Sequence, residues 1–385
     1  MTDPAFPHRR IAHLDMDMFF AGVELLRYPE LRGQAVVVGG RSAQQPRQLP
    51  DGSYQFSRLR EYNGRGVVTT STYEARKLGV YSAMGLMKSA QLAPDAILLP
   101  ANFESYRHYS RLFKAAVAEI VPQIENRGID EIYIDLSTIE EDTHTLAMRL
   151  KQAVIQATGL SCSIGIAANK LLAKIASDLD KPDGLTIIDE QAFRERIWPL
   201  PAKKINGIGP KATAKLETLG IHSIADLAAA NARQLQQHFG RSYTHWLMQV
   251  AQGHDERPVV TTSIPKSMSR ETTFERDMHA VQDKRFLGTA FTALCERVAA
   301  DLQQKGYVGH TVGIKIKYQD FRTATRDLTL PTPTNNAAAI RRAAGVCLTR
   351  LPLEQRFRLL GIKVSNLVHI DDIPAETPEQ TSLFT

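Results

Sequence analysis

Three patterns in the sequence predict a multidomain chain of mixed α/β (α+β) class. Up to about residue 178, short β-branched strands alternate with amphipathic helices, as in a mixed sheet with crossover connections. From Glu190 to about Gly253 the pattern turns to short helices alone. From Ser267 to Leu367 it runs strand, helix, strand, strand, helix, strand. At 385 residues the chain is too long for one ordinary core, and the length prior favours two to four domains.

In chain order, Ile11 to Met16 is a short apolar strand carrying Asp15 near its end, and Phe19 to Arg27 switches to helical spacing with Phe19, Val23 and Leu26 on one face. Val36 to Val38 is a strand. The stretch Gly39 to Gly66, with Pro46, Pro50, Gly52 and Gly64, is expected to be an extended polar loop. Val67 to Ser71 resumes as a strand, Thr72 to Leu78 as a short helix, and Met84 to Leu92 as a helix stopped by Pro94. Asn102 to Ile120 is the strongest helix of this part, with Tyr106, Tyr109, Phe113 and Val117 forming a core stripe. Glu119 to Glu125 reads as a short strand, Asn126 to Gly128 as a tight turn and Ile129 to Leu136 as the returning strand. A helix over Thr143 to Thr158, a strand over Ser161 to Ile166 and a helix carrying Asn169, Lys170 and Lys174 follow. Lys181-Pro-Asp-Gly is a turn. Asp255 to Arg270 lacks apolar periodicity and reads as a linker, and the polar residues from Asp371 onward read as a disordered tail ending in Leu383 and Phe384.

Lys plus Arg number 47 against 41 Asp plus Glu, a net charge of +6 compatible with a polyanionic partner. Cys162, Cys295 and Cys347 are far apart and form no Cys-x-x-Cys pair, so neither a disulfide framework nor a zinc site is expected, and the compartment is a reducing one. No window approaches the ~20 apolar residues of a membrane span, and the first residues lack a signal-peptide run. The expectation is a soluble, cytoplasmic protein.

The chemistry centres on Asp130 and Glu131, adjacent acids in an otherwise β-branched and aromatic strand. Neighbouring carboxylates repel and resist desolvation unless protonated, paired or bound to a cation. Just past a hairpin bend, both can reach one site, and pairing with the first strand would add Asp15. Three hard oxygen ligands describe a magnesium site able to activate a hydroxyl and stabilise leaving pyrophosphate. Tyr73 and Arg76 lie three apart on one helix face and suit a phosphate, to which Lys170 could add a point charge. Phe20, at a helix start, has the bulk to exclude a ribose 2′-hydroxyl. Gly207-Ile-Gly209-Pro-Lys211, between two short helices, has the pattern of a helix-hairpin-helix turn whose backbone N–H groups meet DNA phosphates. Each taken singly also has a plain structural reading: a solvated strand end, ordinary helix surface, core, or an αα-turn.

Together these pieces resemble the Y-family DNA polymerases, in particular the bacterial DNA polymerase IV branch. The segments that carry the resemblance are His13-Leu-Asp15-Met-Asp17-Met-Phe19-Phe20-Ala-Gly-Val-Glu24, Thr72-Tyr73-Glu-Ala-Arg76-Lys77-Leu-Gly79, Ile129-Asp130-Glu131-Ile-Tyr133-Ile-Asp135 and Gly165-Ile-Ala-Ala-Asn169-Lys170-Leu-Leu-Ala-Lys174-Ile-Ala-Ser-Asp178. The resemblance implies a right-hand polymerase: palm over 1–18 and 102–178, fingers over 19–101 with the polar loop 41–65, helix-hairpin-helix thumb over 179–254, linker 255–266, βαββαβ little finger over 267–369, and a tail over 370–385. It implies translesion synthesis with low processivity and no proofreading. Asp15, Asp130 and Glu131, with the Met16 carbonyl, would hold two Mg²⁺ ions, for which Mn²⁺ can substitute. Phe19, Phe20, Thr70, Tyr73, Arg76 and Lys170 would meet the nucleotide, with Phe20 as steric gate. Gly207, Gly209 and Lys211 would meet primer–template DNA, and Gln380, Leu383 and Phe384 would dock on a bacterial sliding clamp. The expected form is a monomer with no membrane partner.

Gly128 stands where that family usually has Ser, and the Arg41 to Arg65 loop is longer than the family leads one to expect. Two rival functions fit less of the chain. A nucleotide cyclase shares a palm-like sheet and paired acids but has no use for the Gly207-Ile-Gly209 turn or the final domain. An inert DNA scaffold has no use for the acids, Arg76 and Lys170 together.

Overall fold

A computed structural model describes residues 9–40 and 44–372. The chain divides into two compact units, one up to Thr262 and one from Ser263.

The first unit is built on a five-stranded sheet in the order Leu185–Ile187, Cys162–Ala167, Ile11–Met16, Glu131–Asp135, Ile124–Asn126. The first strand of the chain is thus central and antiparallel to both neighbours, with Asp15 opposite Glu131 on one side and Ser163 on the other. Strand alternation sorts its side chains. Ala12, Leu14 and Met16 enter a core with Phe113, Val117, Leu146 and Leu150 of the helices Phe103–Ile120 and Thr143–Thr158. Ile11, on the alternate set with His13 and Asp15, packs instead with Leu171, Leu172 and Ile175 of the helix Lys170–Ser177. That helix lies so close to the sheet that a Cβ on Gly165 would stand 2.2 Å from the Ala173 carbonyl oxygen and the Ser177 nitrogen. Only glycine permits this approach, which brings Lys174 and Ser177 down onto His13 and Glu131.

A second, four-stranded sheet has the order Ser57–Arg58, Ile97–Leu99, Val36–Gly39, Val68–Ser71. It ends in the helix Tyr73–Lys77, whose N-cap Thr72 both accepts from the Ala75 N–H and is tied to Val36. Short helices from Pro210–Thr218 to Arg241–Ala251 surround Leu216, Leu227, Leu235 and Leu247.

In the second unit, four long strands pair antiparallel in the order Ser267–Met278, Phe357–His369, Tyr307–Tyr318, Thr323–Thr334. Val312, Ile314 and Ile316 share a core with Phe291, Leu294 and Val298 of the helix Lys284–Gln304 and Ile340 and Ala344 of the helix Ala337–Leu348.

Several local expectations are corrected. Glu119 to Glu125 is not one strand: the helix continues to Ile120 and a strand begins only at Ile124, because Val117 and the rest of the apolar stripe hold the helix to its last turn. The Leu185–Ile187 strand joins the first sheet although it lies inside the span 179–254 assigned to the thumb. The helix Phe19–Arg27, read as part of the fingers, packs Phe19, Ala21 and Val23 into the core of the first sheet. The polar stretch after Gly39 is not one extended loop. Arg47–Gln48 pairs with Tyr54–Gln55, Ser57–Arg58 joins the second sheet, and Tyr54 and Phe56 pack edge-on against Tyr28.

Candidate active site

The carboxylates of Asp15 and Glu131 meet across the central strand pair, and Asp130 stands at the entry to the returning strand, its carbonyl accepting the Met16 N–H at 3.0 Å. Ligand atoms of Asp15, Glu131 and His13 lie within 4.8 Å of one another. Burial, with Asp15 and Glu131 nearby, pushes the Asp130 carboxyl up, as expected for a cluster of like charges. Glu131 goes the other way: His13 and Lys174 at its Oε2 hold it down at about 2. Lys181 reaches Asp15 at 2.7 Å and Asp178 at 2.9 Å; burial lowers its pKa, but these two acids outweigh it and the net shift is upward. Two lysines, Lys174 on Glu131 and Lys181 on Asp15, thus balance negative charge of the kind a divalent cation could also neutralise. Hard oxygen donors at a half-buried strand end, with one carboxyl strained toward its neutral form, fit such a cation.

Asp17 plays a different part. It accepts from Ser161 Oγ, Ser163 Oγ and the Asp183 N–H, all at 2.8 Å, which pins the Lys181-Pro-Asp-Gly turn against the sheet and so aims Lys181. Asp135 likewise caps its own turn through the Ser137 N–H at 2.9 Å. Gly128 leaves room beside the acids, a Cβ there meeting Asp130 Oδ1 at 3.3 Å, and its carbonyl takes a bond from Lys114 at 2.6 Å.

Tyr73 and Arg76 share a face, the guanidinium 4.8 Å from the ring centroid. Arg76 donates to the Ser71 carbonyl at 3.2 Å and has no carboxylate partner among the described residues. The Tyr73 hydroxyl is buried without a hydrogen-bond partner among the described residues, and burial followed by Asp17 pushes it up to about 12, with Arg76, Lys181 and Asp15 acting on it as well. A buried hydroxyl with a free hydrogen-bonding capacity, beside an arginine that pairs with no acid among the described residues, has the chemistry to meet an anion. Phe20, half-buried, is stacked on Tyr106 at 4.4 Å and meets Phe103 edge-on; the Tyr106 hydroxyl donates to Glu24 at 2.6 Å and braces the stack. Thr70 is buried on the second sheet, opposite Val38.

The structure places two of the expected nucleotide contacts differently. Lys170 does not join this group: its Nζ is buried against Glu125 Oε2 at 2.5 Å and the Pro258 carbonyl at 3.2 Å, because it opens its helix at the sheet end away from the acids. The Phe19 ring is core, 2 % exposed against Phe113, which leaves its backbone alone to offer a nucleotide. Three further residues gather around the acids. In the sequence Lys181 belongs to a turn motif, Lys174 shares a helix with Lys170, and His13 shares the strand face of Asp15.

In the helical part, the Gly207 φ of +113° lies outside the range side chains favour, and a Cβ there would strike Trp246 at 2.7 Å. Gly209 has open space where a Cβ would be, and Lys211 is exposed in the first turn of the next helix. Gln380, Leu383 and Phe384 lie outside the described residues.

A palm-like sheet with three converging carboxylates, a finger helix with an open cationic face and a helix-hairpin-helix define a template-directed nucleotidyltransferase fold. The chain belongs to the impB/mucB/samB family, the Y-family DNA polymerases, and within it to the bacterial DNA polymerase IV branch: residues 14–178 match the impB/mucB/samB family, 265–383 its C-terminal domain, and 200–254 the DNA polymerase eta/Rev1 helix-hairpin-helix motif. It is 37% identical to a DNA polymerase IV of Alkalilimnicola ehrlichii, covering 97% of both chains, and 37% identical to DNA polymerase IV 2 of Agrobacterium fabrum, covering 97% and 99%. Among solved structures, a Y-family polymerase chimera of Dbh and Dpo4 superposes with a TM-score of 0.78 at 25% identity, over 94% of this chain and 99% of that one. An insertion ternary complex of Dbh DNA polymerase shares the fold, with a TM-score of 0.63 at 24% identity over 94% and 99%.

Proposed function

We infer that the protein is a translesion DNA-directed DNA polymerase that adds dNTPs to a primer 3′ end, with Asp15, Asp130 and Glu131 as its catalytic carboxylates. The observation that carries the reading is the convergence of Asp15 and Glu131, with Asp130 close enough to feel both, near the unpaired Tyr73 hydroxyl and an Arg76 that has no carboxylate partner among the described residues. Asp15, Asp130 and Glu131, with the Met16 carbonyl, are the residues that would hold two Mg²⁺ ions. When bound, such ions supply Lewis acidity to the attacking hydroxyl and to the departing pyrophosphate.

The chain's own residues bind and orient. Arg76 offers a fork, Tyr73 a hydroxyl and Lys181 an ammonium to the triphosphate, Lys181 moving from Asp15 to phosphate oxygen as the nucleotide arrives. The braced Phe20 ring stands as the gate against a ribose 2′-hydroxyl, and Phe19 contributes backbone N–H groups of a helix start. The Gly207 to Lys211 turn holds template or primer phosphates. Gln380, Leu383 and Phe384 provide the docking peptide for a bacterial sliding clamp, in a cytoplasmic, monomeric enzyme. Removing residues 380–385 should then abolish clamp stimulation while sparing clamp-independent synthesis.

Extension of a primer on a DNA template with dNTPs and Mg²⁺ tests the assignment. Cyclic nucleotide production without DNA would favour the cyclase, and DNA binding without incorporation would favour the scaffold.

A further inference from the structure

We propose that His13 is a positioning residue for Glu131, fixing that carboxylate for metal binding through a chain that starts at Ser177. The proposal rests on the reading of Asp15, Asp130 and Glu131 as metal ligands. His13 is completely buried, its ring 4.7 Å from that of Tyr133. Nδ1 lies 2.8 Å from Ser177 Oγ, and Nε2 lies 3.3 Å from Glu131 Oε2 and 3.4 Å from Lys174 Nζ, which itself grips the same Oε2. Ser177 Oγ is in turn 2.9 Å from the Lys174 carbonyl.

Each tautomer serves the same end. With the proton on Nε2 the ring donates toward Glu131; with the proton on Nδ1 it accepts from the ammonium that holds Glu131. Either way one oxygen, Oε2, of a partly buried glutamate is fastened from the protein side, and the grip does not use the other. Without such a clamp the glutamate samples several rotamers, and ordering it costs side-chain entropy each time a cation binds. His13 is not itself the ligand of a hard cation: both its nitrogens are engaged within the protein, and Mg²⁺ prefers oxygen.

The test uses the full chain with a dideoxy-terminated primer–template and a dNTP, so that Mn²⁺ binding is read by electron paramagnetic resonance without turnover. His13→Leu should weaken Mn²⁺ binding about 10-fold, within the ~10–100-fold range for residues that orient ligands. It should raise the Mg²⁺ concentration for half-maximal extension by a similar factor and approach wild-type kcat at saturating Mg²⁺. His13→Gln should recover most of the loss. Ser177→Ala, which leaves the ring in place but cuts its anchor, should shift Mn²⁺ affinity the same way by a smaller factor. Wild-type affinity in a folded His13→Leu, or in Ser177→Ala should His13→Leu not fold, overturns the proposal. Glu131→Gln is the control: if it too binds Mn²⁺ normally, the ligand assignment itself has failed, whereas loss in Glu131→Gln alone condemns only the role of His13.

Discussion

Replacing Lys170 by Met separates two accounts of this residue. Its ammonium and the Glu125 carboxylate are 6% and 8% exposed and 2.5 Å apart. Glu125 Oε2 also accepts the Val260 N–H at 2.8 Å, so the pair fastens the stretch that follows Gly253 to the first sheet. Asn169 adds a bond to the Gly253 carbonyl at 2.7 Å, and Asp255 accepts the Leu171 N–H at 3.0 Å. Lys170→Met strands the glutamate charge in a buried place, which costs about 3–5 kcal/mol. The Val260 N–H and Arg127, 3.6 Å away, remain to solvate that charge, which favours the lower end of the range. At ~2–4 °C per kcal/mol for a unit of this size, the melting midpoint should fall by roughly 6–12 °C. Lys170→Met/Glu125→Gln removes the stranded charge, keeps an acceptor for Val260, and should regain at least about half of the loss. Thermal unfolding followed by circular dichroism, beside steady-state dNTP kinetics, reads both accounts. An unchanged midpoint with a dNTP KM raised ~10-fold would show that Lys170 serves the triphosphate and refute the reasoning.

Lys181→Met should raise the dNTP KM about 10- to 100-fold, the worth of a charge-assisted hydrogen bond of ~1.5–3 kcal/mol. Wild-type KM in that variant would remove Lys181 from the nucleotide site. Glu24 supplies the pH dependence. Burial raises its pKa above 4.5, against the bond from Tyr106. The carboxyl is neutral in folded and unfolded chains below about 4.5, and a penalty for the buried charge grows as pH climbs through the raised folded value. Glu24→Gln should therefore melt higher than wild type at pH 8 and equally at pH 4; a gain that is larger at pH 4 contradicts this sign. Phe20→Ala should increase ribonucleotide incorporation, measured as the ratio of kcat/KM for dNTP and rNTP, and an unchanged ratio would leave the gate elsewhere.

Much of this was legible in the sequence because its signals are local. The βαββαβ order of the final unit follows from periodicity, and the acid pair stands out because a β-branched run has no other use for adjacent carboxylates. What escaped was set by tertiary placement. Lys170 and Lys174 lie one helical turn apart, and only the close approach at Gly165 decides which of them meets Glu131. Lys181 reads as turn chemistry in the sequence, and it is the Asp17 anchors on that turn that aim it at Asp15. His13 had a readable signal, two residues before Asp15 on one strand face, but its partners Ser177 and Lys174 come from a helix far along the chain. The short strands between Arg47 and Arg58 are held by pairing and by aromatic contacts with Tyr28, neither of which leaves a period in two-residue segments.

The central claim is that Asp130 and Glu131 do the work of nucleotidyl transfer. Single-turnover primer extension by wild type, Asp130→Ala and Glu131→Ala, at matched DNA occupancy and saturating Mg²⁺, tests it most directly. The account predicts extension by the wild type and a loss of at least about 1,000-fold in each variant, with thermal midpoints at or above that of the wild type for Asp130→Ala because a strained acid has been removed. Undiminished extension by either variant would contradict it.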